Sequence, residues 1–260
     1  MDRKAYRLRE LIRPSDGRSL VLDTSAGLSL GALPGLEHFS TAVSPILAVL
    51  DGVVASPGQA RRLQGRTREQ AAILVRADWT NALRGPDFVL HPETTSLVPL
   101  LEPRDALDLG ASAMVFSFLL GYEEQIEADC LRLTVQLALQ GSKAGIPILS
   151  DIQPTGPRVV LRAKAIELGA SYALESGVDG LAIPWPDRTS FETIHTMAAG
   201  VPLWVKPATF PPGAELGEAL ELGAAGLWLD ERLFAHPDTV ALVEQLFHQV
   251  HTASHTPQAG

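Results

Sequence analysis

One join recurs along this chain: an amphipathic helical stretch, then Leu-Gly-Ala, then an apolar run too short to be another helix. It occurs in "DLGASAMVF" (108–116), "ELGASYALESGVDGLAIP" (167–184) and "ELGAAGLWL" (221–229), and in a second form in "KAGIPILSD" (143–151) and "AAGVPLWVK" (198–206). Glycine directly after a helix accepts the left-handed backbone that a tight helix-to-strand turn requires. Extending the pattern gives eight candidate strands, starting at Ser19, Gly52, Ala72, Ala113, Pro147, Gly180, Pro202 and Gly226. Near-continuous apolar strands separated by helices belong to a parallel sheet covered on both faces. Eight such units in 260 residues predict a single (β/α)8 TIM barrel over 1–252, with a flexible tail over 253–260. "GLSLGALPG" (27–35) has the wrong glycine spacing for a dinucleotide fingerprint, which disfavours an open nucleotide-binding sheet.

Composition narrows the function classes. A formal net charge of −9 gives no general attraction to nucleic acid or to an anionic membrane surface, so neither is expected as a partner. The opening "MDRKAYRLRELIRP" is too charged for a signal peptide, and no apolar run approaches a membrane span. Cys130 is the only cysteine, which excludes an intramolecular disulfide and fits a cytoplasmic protein. His248, His251 and His255 straddle a helix end and the tail and read as solvated side chains rather than metal ligands. No cofactor or metal is expected.

Active sites on such barrels lie at the carboxyl ends of the strands. The residues there are Asp23, Ser25 and Ala26, then Asp78, Asp151 and Gln153, Ala182, Pro184 and Trp185, Lys206, and finally Asp230 and Glu231. Asp23 shares strand parity with Ser25, and Asp151 with Gln153, so both acids point into the barrel below its rim. Two inward carboxylates suit a proton-transfer pair, a Mg²⁺ site or hydrogen bonds to loop N–H groups. Of four lysines, Lys4, Lys143, Lys164 and Lys206, only Lys206 closes a strand. It shares parity with Trp204, so either that indole enters the barrel or a bulge at Lys206-Pro207 redirects the amine. His91 is a further acid/base candidate on the long loop after the third strand. Trp185, Trp204 and Trp228 read as barrel packing before they read as a stacking platform.

At these rims, from about Asp16 to His251, the chain resembles the class I fructose-bisphosphate aldolases of archaeal and bacterial type and the related deoxyribose-phosphate type of Schiff-base aldolase. The likeness rests on "DGRSLVLDTSAGLSLGALPGLE" (16–37), "IPILSDIQPTG" (146–156) and "GAAGLWLDERLFAHPDTVALVEQLFHQVH" (223–251). It implies a homo-oligomer and a carbonyl substrate. It also implies Asp-His-Gly after the first strand, a tyrosine in the fifth-strand turn and an imine-forming lysine closing the sixth. This chain has Ser25-Ala26-Gly27, Gln153 and Ala182 there, and alanine forms no imine. The phosphate-binding Gly-Gly and Gly-Arg-Asn turns implied by the resemblance are Pro207-Ala208 and Asp230-Glu231-Arg232. Proline lacks the N–H donor, and a carboxylate near a phosphate dianion opposes it by about 1 kcal/mol even in water.

Three functions remain open. The first is a diverged carbon–carbon lyase using Lys206 with Asp23 or Asp151 on a small non-bisphosphorylated oxo compound, with Ser25, Asp78, Gln153, Trp185, Asp230 and Glu231 as substrate contacts. The second is a catalytically silent barrel acting as a binding or assembly subunit. The third is a carboxylate- or metal-dependent enzyme on the same scaffold.

Overall fold

The computed structural model describes residues 2–64 and 71–252; the tail expected over 253–260, with His255, lies outside them. The described strands are β1 (Ser19–Asp23), β2 (Gly52–Ala55), β3 (Ala72–Arg76), β4 (Asp78–Thr80), β5 (Leu97–Pro99), β6 (Ala113–Leu119), β7 (Ile148–Gln153), β8 (Gly180–Pro184), β9 (Leu203–Lys206) and β10 (Gly226–Leu229). Eight close into a parallel barrel in the order β1-β10-β9-β8-β7-β6-β3-β2. These are the eight runs expected from the sequence. The remaining two, β4 and β5, form an antiparallel hairpin at the end of β3, inside the segment expected to be a loop.

The helices are α1 (Arg3–Leu11), α2 (Gly27–Leu30), α3 (Phe39–Val43), α4 (Pro57–Leu63), α5 (Pro103–Asp108), α6 (Glu124–Ala144), α7 (Arg162–Glu175), α8 (Arg188–Ala198), α9 (Glu215–Glu221) and α10 (Thr239–Thr252). The glycine joins behave as expected after α5, α6, α8 and α9, where Gly110, Gly145, Gly200 and Gly223 have φ of 75°, 78°, 95° and 95°. The Leu-Gly-Ala at 168–170 does not end a helix. It lies within α7, where Gly169 lets the helix approach the barrel, since a Cβ there would come within 2.4 Å of Leu120 Cδ1. The turn comes later, at Gly177.

Both faces of each barrel strand are covered, which is why the strands read as unbroken apolar runs. One buried cluster takes Val21, Val54, Leu74, Val115, Leu149, Ala182, Trp204 and Trp228 from the eight strands in turn. A cluster fed by every strand is the barrel interior. The alternate positions, such as Leu20, Val53, Ile73 and Leu181, pack outward beneath the helices.

The N-terminal helix plugs the amino end of the barrel. Leu11, only 1% exposed, joins the interior cluster with Leu8 and Ile12 packed against it. Gly52 makes room for it, because a Cβ there would come within 2.5 Å of Leu11 Cδ1. Polar ties from Lys4 to Asp179 (2.8 Å) and from Ser112 Oγ to Glu10 (2.6 Å) hold the helix in place. Among the described residues no helix is long and apolar enough to cross a membrane. Cys130 is buried on α6, where desolvation pushes its thiol up to about 12 and leaves it inert at neutral pH.

His251 departs from the solvated histidine expected. On α10 it bridges Asp16 (2.6 Å) and Asp51 (2.9 Å) at the amino end of the barrel, with its side chain 9% exposed. Burial alone would favour the neutral ring, but the hydrogen bonds and charges of Asp51 and Asp16 outweigh it and raise the pKa. The stabilisation is therefore complete below the unfolded value of about 6.5 and is lost as pH rises through the raised folded value. In urea unfolding, His251→Asn should lower stability most below about pH 6.5, with the deficit narrowing at higher pH. A deficit independent of pH would contradict the charged bridge.

Candidate active site

Strand parity carries the interior upward by two residues from an apolar floor to a polar layer. Above Val21, Leu74, Val115, Leu149 and Trp204 come Asp23, Arg76, Ser117, Asp151 and Lys206. Trp204 does enter the barrel, fully buried, and donates from Nε1 to Ser19 Oγ at 2.6 Å. Lys206 follows on the same face without a bulge.

At the centre lies Arg76, 6% exposed. Its guanidinium donates to Ser25 Oγ (3.0 Å), Ser117 Oγ (3.1 Å), Asp23 Oδ2 (2.5 Å) and Asp151 Oδ2 (3.0 Å). Burial would lower its pKa, yet Asp23, Asp151 and Asp78 raise it above the usual value, so the cation is permanent. Sequence reasoning missed this residue. The signal was a single arginine in "AILVRA", two residues before Asp78 and on the inward parity of its strand.

Arg76 fixes the carboxylates around it. Asp23 Oδ1 accepts from the Ser25 backbone N–H (2.8 Å) and hydroxyl (2.6 Å). Asp151 accepts from Lys206 Nζ on one oxygen, and from Arg76 and Gln153 Nε2 (3.0 Å) on the other. Burial would raise the Asp151 pKa, but Lys206 and Arg76 together hold it below the ordinary carboxylate range. Asp151 is therefore a weaker base than an ordinary carboxylate, and the space between Asp23 and Asp151, where the Mg²⁺ of the metal alternative would have to sit, holds a guanidinium.

Asp78 stands apart. Its Oδ1 accepts the Ser117 N–H at 3.0 Å, while Oδ2 is buried without a protein partner. Desolvation raises its pKa, and the partial relief from Arg76 and Ser117 does not offset that. Glu231, at the end of β10, is also pushed upward, first by burial and further by Asp230 and Asp23.

The polar layer floors a cavity of about 420 Å³ that opens at the carboxyl ends of the strands. Of the twelve residues expected at the strand ends all but Ala182 line it, including the nine given catalytic or contact roles: Asp23, Ser25, Asp78, Asp151, Gln153, Trp185, Lys206, Asp230 and Glu231. Arg162 and Arg232 line it too. Asp230 caps the short 3₁₀ turn Glu231–Ala235 and pairs with Arg232 at 2.8 Å, while Arg232 also donates to Pro207 O at 3.1 Å. Trp185 packs on Phe191 with ring centroids 5.5 Å apart. His91 is exposed, bonded to Gly85 O, and does not line the cavity, which removes it as an acid/base candidate. Ala182 lies below, fully buried, paired in register with Asp151 on one side and Trp204 on the other. The Trp204 ring leans over β8, since a Cβ on Gly180 would come within 2.8 Å of its Cζ3. Ala182 belongs to the same buried cluster as Trp204 and Trp228.

No protein-family model matches the chain. Among curated proteins, it is 23% identical over 249 residues to an uncharacterized aldolase of Pasteurella multocida, covering 94% of this chain and 81% of that one. It is 26% identical over 250 residues to the 2-amino-3,7-dideoxy-D-threo-hept-6-ulosonate synthase of Halobacterium salinarum, covering 91% and 88%. A 3-hydroxy-5-phosphonooxypentane-2,4-dione thiolase of Yersinia pestis is 23% identical over 254 residues, covering 94% and 81%. Its relatives are class I aldolase-like proteins. The fold agrees. An archaeal fructose 1,6-bisphosphate aldolase superposes with a TM-score of 0.79 at 19% identity over 96% of this chain and 99% of that one. A Schiff base-forming fructose-1,6-bisphosphate aldolase gives 0.78 at 18% identity, over 95% and 99%.

Removing Arg76 leaves two inward carboxylates without their shared cation, a change that costs about 3–5 kcal/mol when a buried pair is broken. Arg76→Leu should lose that much stability at neutral pH. Because the Asp151 pKa is depressed in the fold, the loss should shrink as pH falls below about 4. Chemical denaturation across that range checks it, and a loss that persists undiminished in acid would contradict the charge network.

Proposed function

We propose that this chain is a carbon–carbon lyase of aldolase type, acting at the barrel mouth on a small oxo compound that is not a sugar bisphosphate, with Lys206 as the amine that engages the carbonyl. The observation that carries the reading is the placement of Lys206 on the wall of an open cavity, beside a fixed carboxylate, with Asp78, whose pKa burial raises, lining the same cavity. The relatives are aldolase-type enzymes whose names describe phosphorylated or small oxo compounds.

The chemistry follows from charge. An amine must be neutral to attack a carbonyl, and the iminium it forms is again a cation. Asp151 therefore faces a positive nitrogen both before the attack and after it, and compensates the iminium as it did the ammonium. Arg76 keeps Asp151 ionised throughout. Carbon–carbon cleavage next to an iminium leaves an enamine, for which the cationic nitrogen is the electron sink. Against a bisphosphate stand Pro207, which has no N–H to offer, and the carboxylates of Asp230 and Glu231 on the same rim. The homo-oligomer and cytoplasmic setting expected from the sequence stay part of this reading.

A second reading has one specific observation in its favour. Asp23 and Asp151 are both committed to Arg76, as they would be in a barrel that had kept its shape and given up its reaction. One experiment separates the two. After borohydride reduction in the presence of dihydroxyacetone, glyceraldehyde or pyruvate, intact mass should show one adduct, mapped by peptide analysis to Lys206 and absent from Lys206→Met. Wild-type protein that stays unmodified with all three, or that is modified at the exposed Lys164 instead, would favour the silent subunit.

A further inference from the structure

Among the groups lining the mouth, the three aspartates Asp23, Asp78 and Asp151 lie near two cations, Arg76 and Lys206. Arg76 and Lys206 give their hydrogen bonds to Asp23 and Asp151, and neither donates to Asp78. Asp78 is nonetheless as buried as Asp151, each 2% exposed, and it lines the same cavity. Its Oδ1 is held by the Ser117 N–H, whereas Oδ2 has no protein partner. An ionised carboxylate oxygen left bare in such a place is costly, and the group relieves that cost by keeping its proton. A protonated Oδ2 is then a donor, and a donor without a partner on a residue that lines a cavity is available to an acceptor atom on whatever enters.

The orientation is fixed. Asp78 follows β3 on the inward parity of Arg76, and the Ser117 N–H decides which oxygen is used up. The charged and titratable groups facing it are Arg76 from the end of β3, Asp151 from β7 and the Cys130 thiol from α6. Arg76 favours ionisation but is shared among other acceptors, and Asp151 opposes it.

We infer that Asp78 is a further catalytic residue, a neutral carboxylic acid that donates its Oδ2 proton to the carbonyl oxygen of the ligand held at Lys206. The chemical step rests on the lyase reading above. Once the ammonium proton has left to water, the Lys206 lone pair forms the C–N bond and the C=O π electrons move to oxygen. Oxygen takes the Asp78 proton, and the nitrogen then returns one proton to Asp78. In the second half Asp78 protonates the carbinol hydroxyl, the C–O bond breaks and water departs. An iminium and an Asp78 carboxylate remain. The sum is amine, carbonyl and one proton giving iminium and water, with no oxidant or reductant. Hydrolysis of the product imine runs the same steps backward and restores the acid.

Two measurements test the inference. In protein with carboxyl-labelled aspartate, NMR titration over about pH 4 to 9 should show Asp78 still protonated at neutral pH, while Asp151 is ionised. The Ser117 amide, bonded to Asp78, reports the same titration in the wild type even if a variant fails to fold. In the second, borohydride trapping of dihydroxyacetone on Lys206 should slow by about 10²–10⁴-fold in Asp78→Asn, the size of a general-acid contribution. Asn keeps the acceptor for Ser117. The wild-type trapping rate should carry a decline at high pH from loss of the acid, and the variant should lack it. A carboxylate at Asp78 at neutral pH overturns the inference whatever becomes of the lyase reading, as does trapping in Asp78→Asn at the wild-type rate with the same pH profile. Absence of any adduct in the wild type overturns the lyase reading and the proton-transfer step with it, while the titration still decides whether Asp78 is a neutral donor.

Discussion

A guanidinium inside a barrel organises this molecule's functional end. Arg76 leaves water almost completely, and the cost of removing its charge from solvent is offset only because four acceptors on β1, the turn after it, β6 and β7 converge on it. It also divides the acidic groups of the mouth. Asp23 and Asp151 become fixed anions, part of the frame. Asp78 and Lys206 are the groups to which the proposed chemistry falls, one as an acid short of a partner and the other as an amine at the edge of open space.

Beneath that layer the interior is closed. Trp204 and Trp228 meet edge to face with centroids 6.1 Å apart, and small residues on β8 accommodate them. In the aldolases this chain resembles, the sixth strand is expected to carry the amine. Here that strand presents Gly180 and Ala182 to an indole, while the seventh carries both the indole and, two residues on, the lysine. A nitrogen placed one strand over still points into the same cavity, because the ends of β7, β8 and β9 all line it.

The eight barrel strands were legible because burial on both faces leaves an unbroken apolar run, and glycine joins mark where four of the helices stop. The hairpin of β4 and β5 was not, since "DWT" and "LVP" are three residues each and separated by a long polar stretch. Parity sufficed to bring nine rim residues to one cavity, but not to say which would touch. The pairing of Lys206 with Asp151, and of Asp151 with Arg76, depends on the stagger between strands two places apart in the barrel. That stagger arises only on closure. Arg76 was passed over because a lone charge at the end of an apolar strand reads as a rim residue pointing at water, when its parity turns it inward. His251 was misjudged for a similar reason, since its two partners, Asp51 and Asp16, lie 200 and 235 positions away.

The central claim is that the mouth receives a carbonyl compound between Lys206 and Asp78 above the Arg76 network. The most direct test is a crystal structure of the chain soaked with dihydroxyacetone. The ligand should lie in the cavity with its carbonyl carbon at Lys206 Nζ and its oxygen on Asp78, and with Arg76 still bridging Asp23 and Asp151. An empty cavity with Lys206 turned out to solvent, or a ligand bound elsewhere on the barrel, would contradict the account.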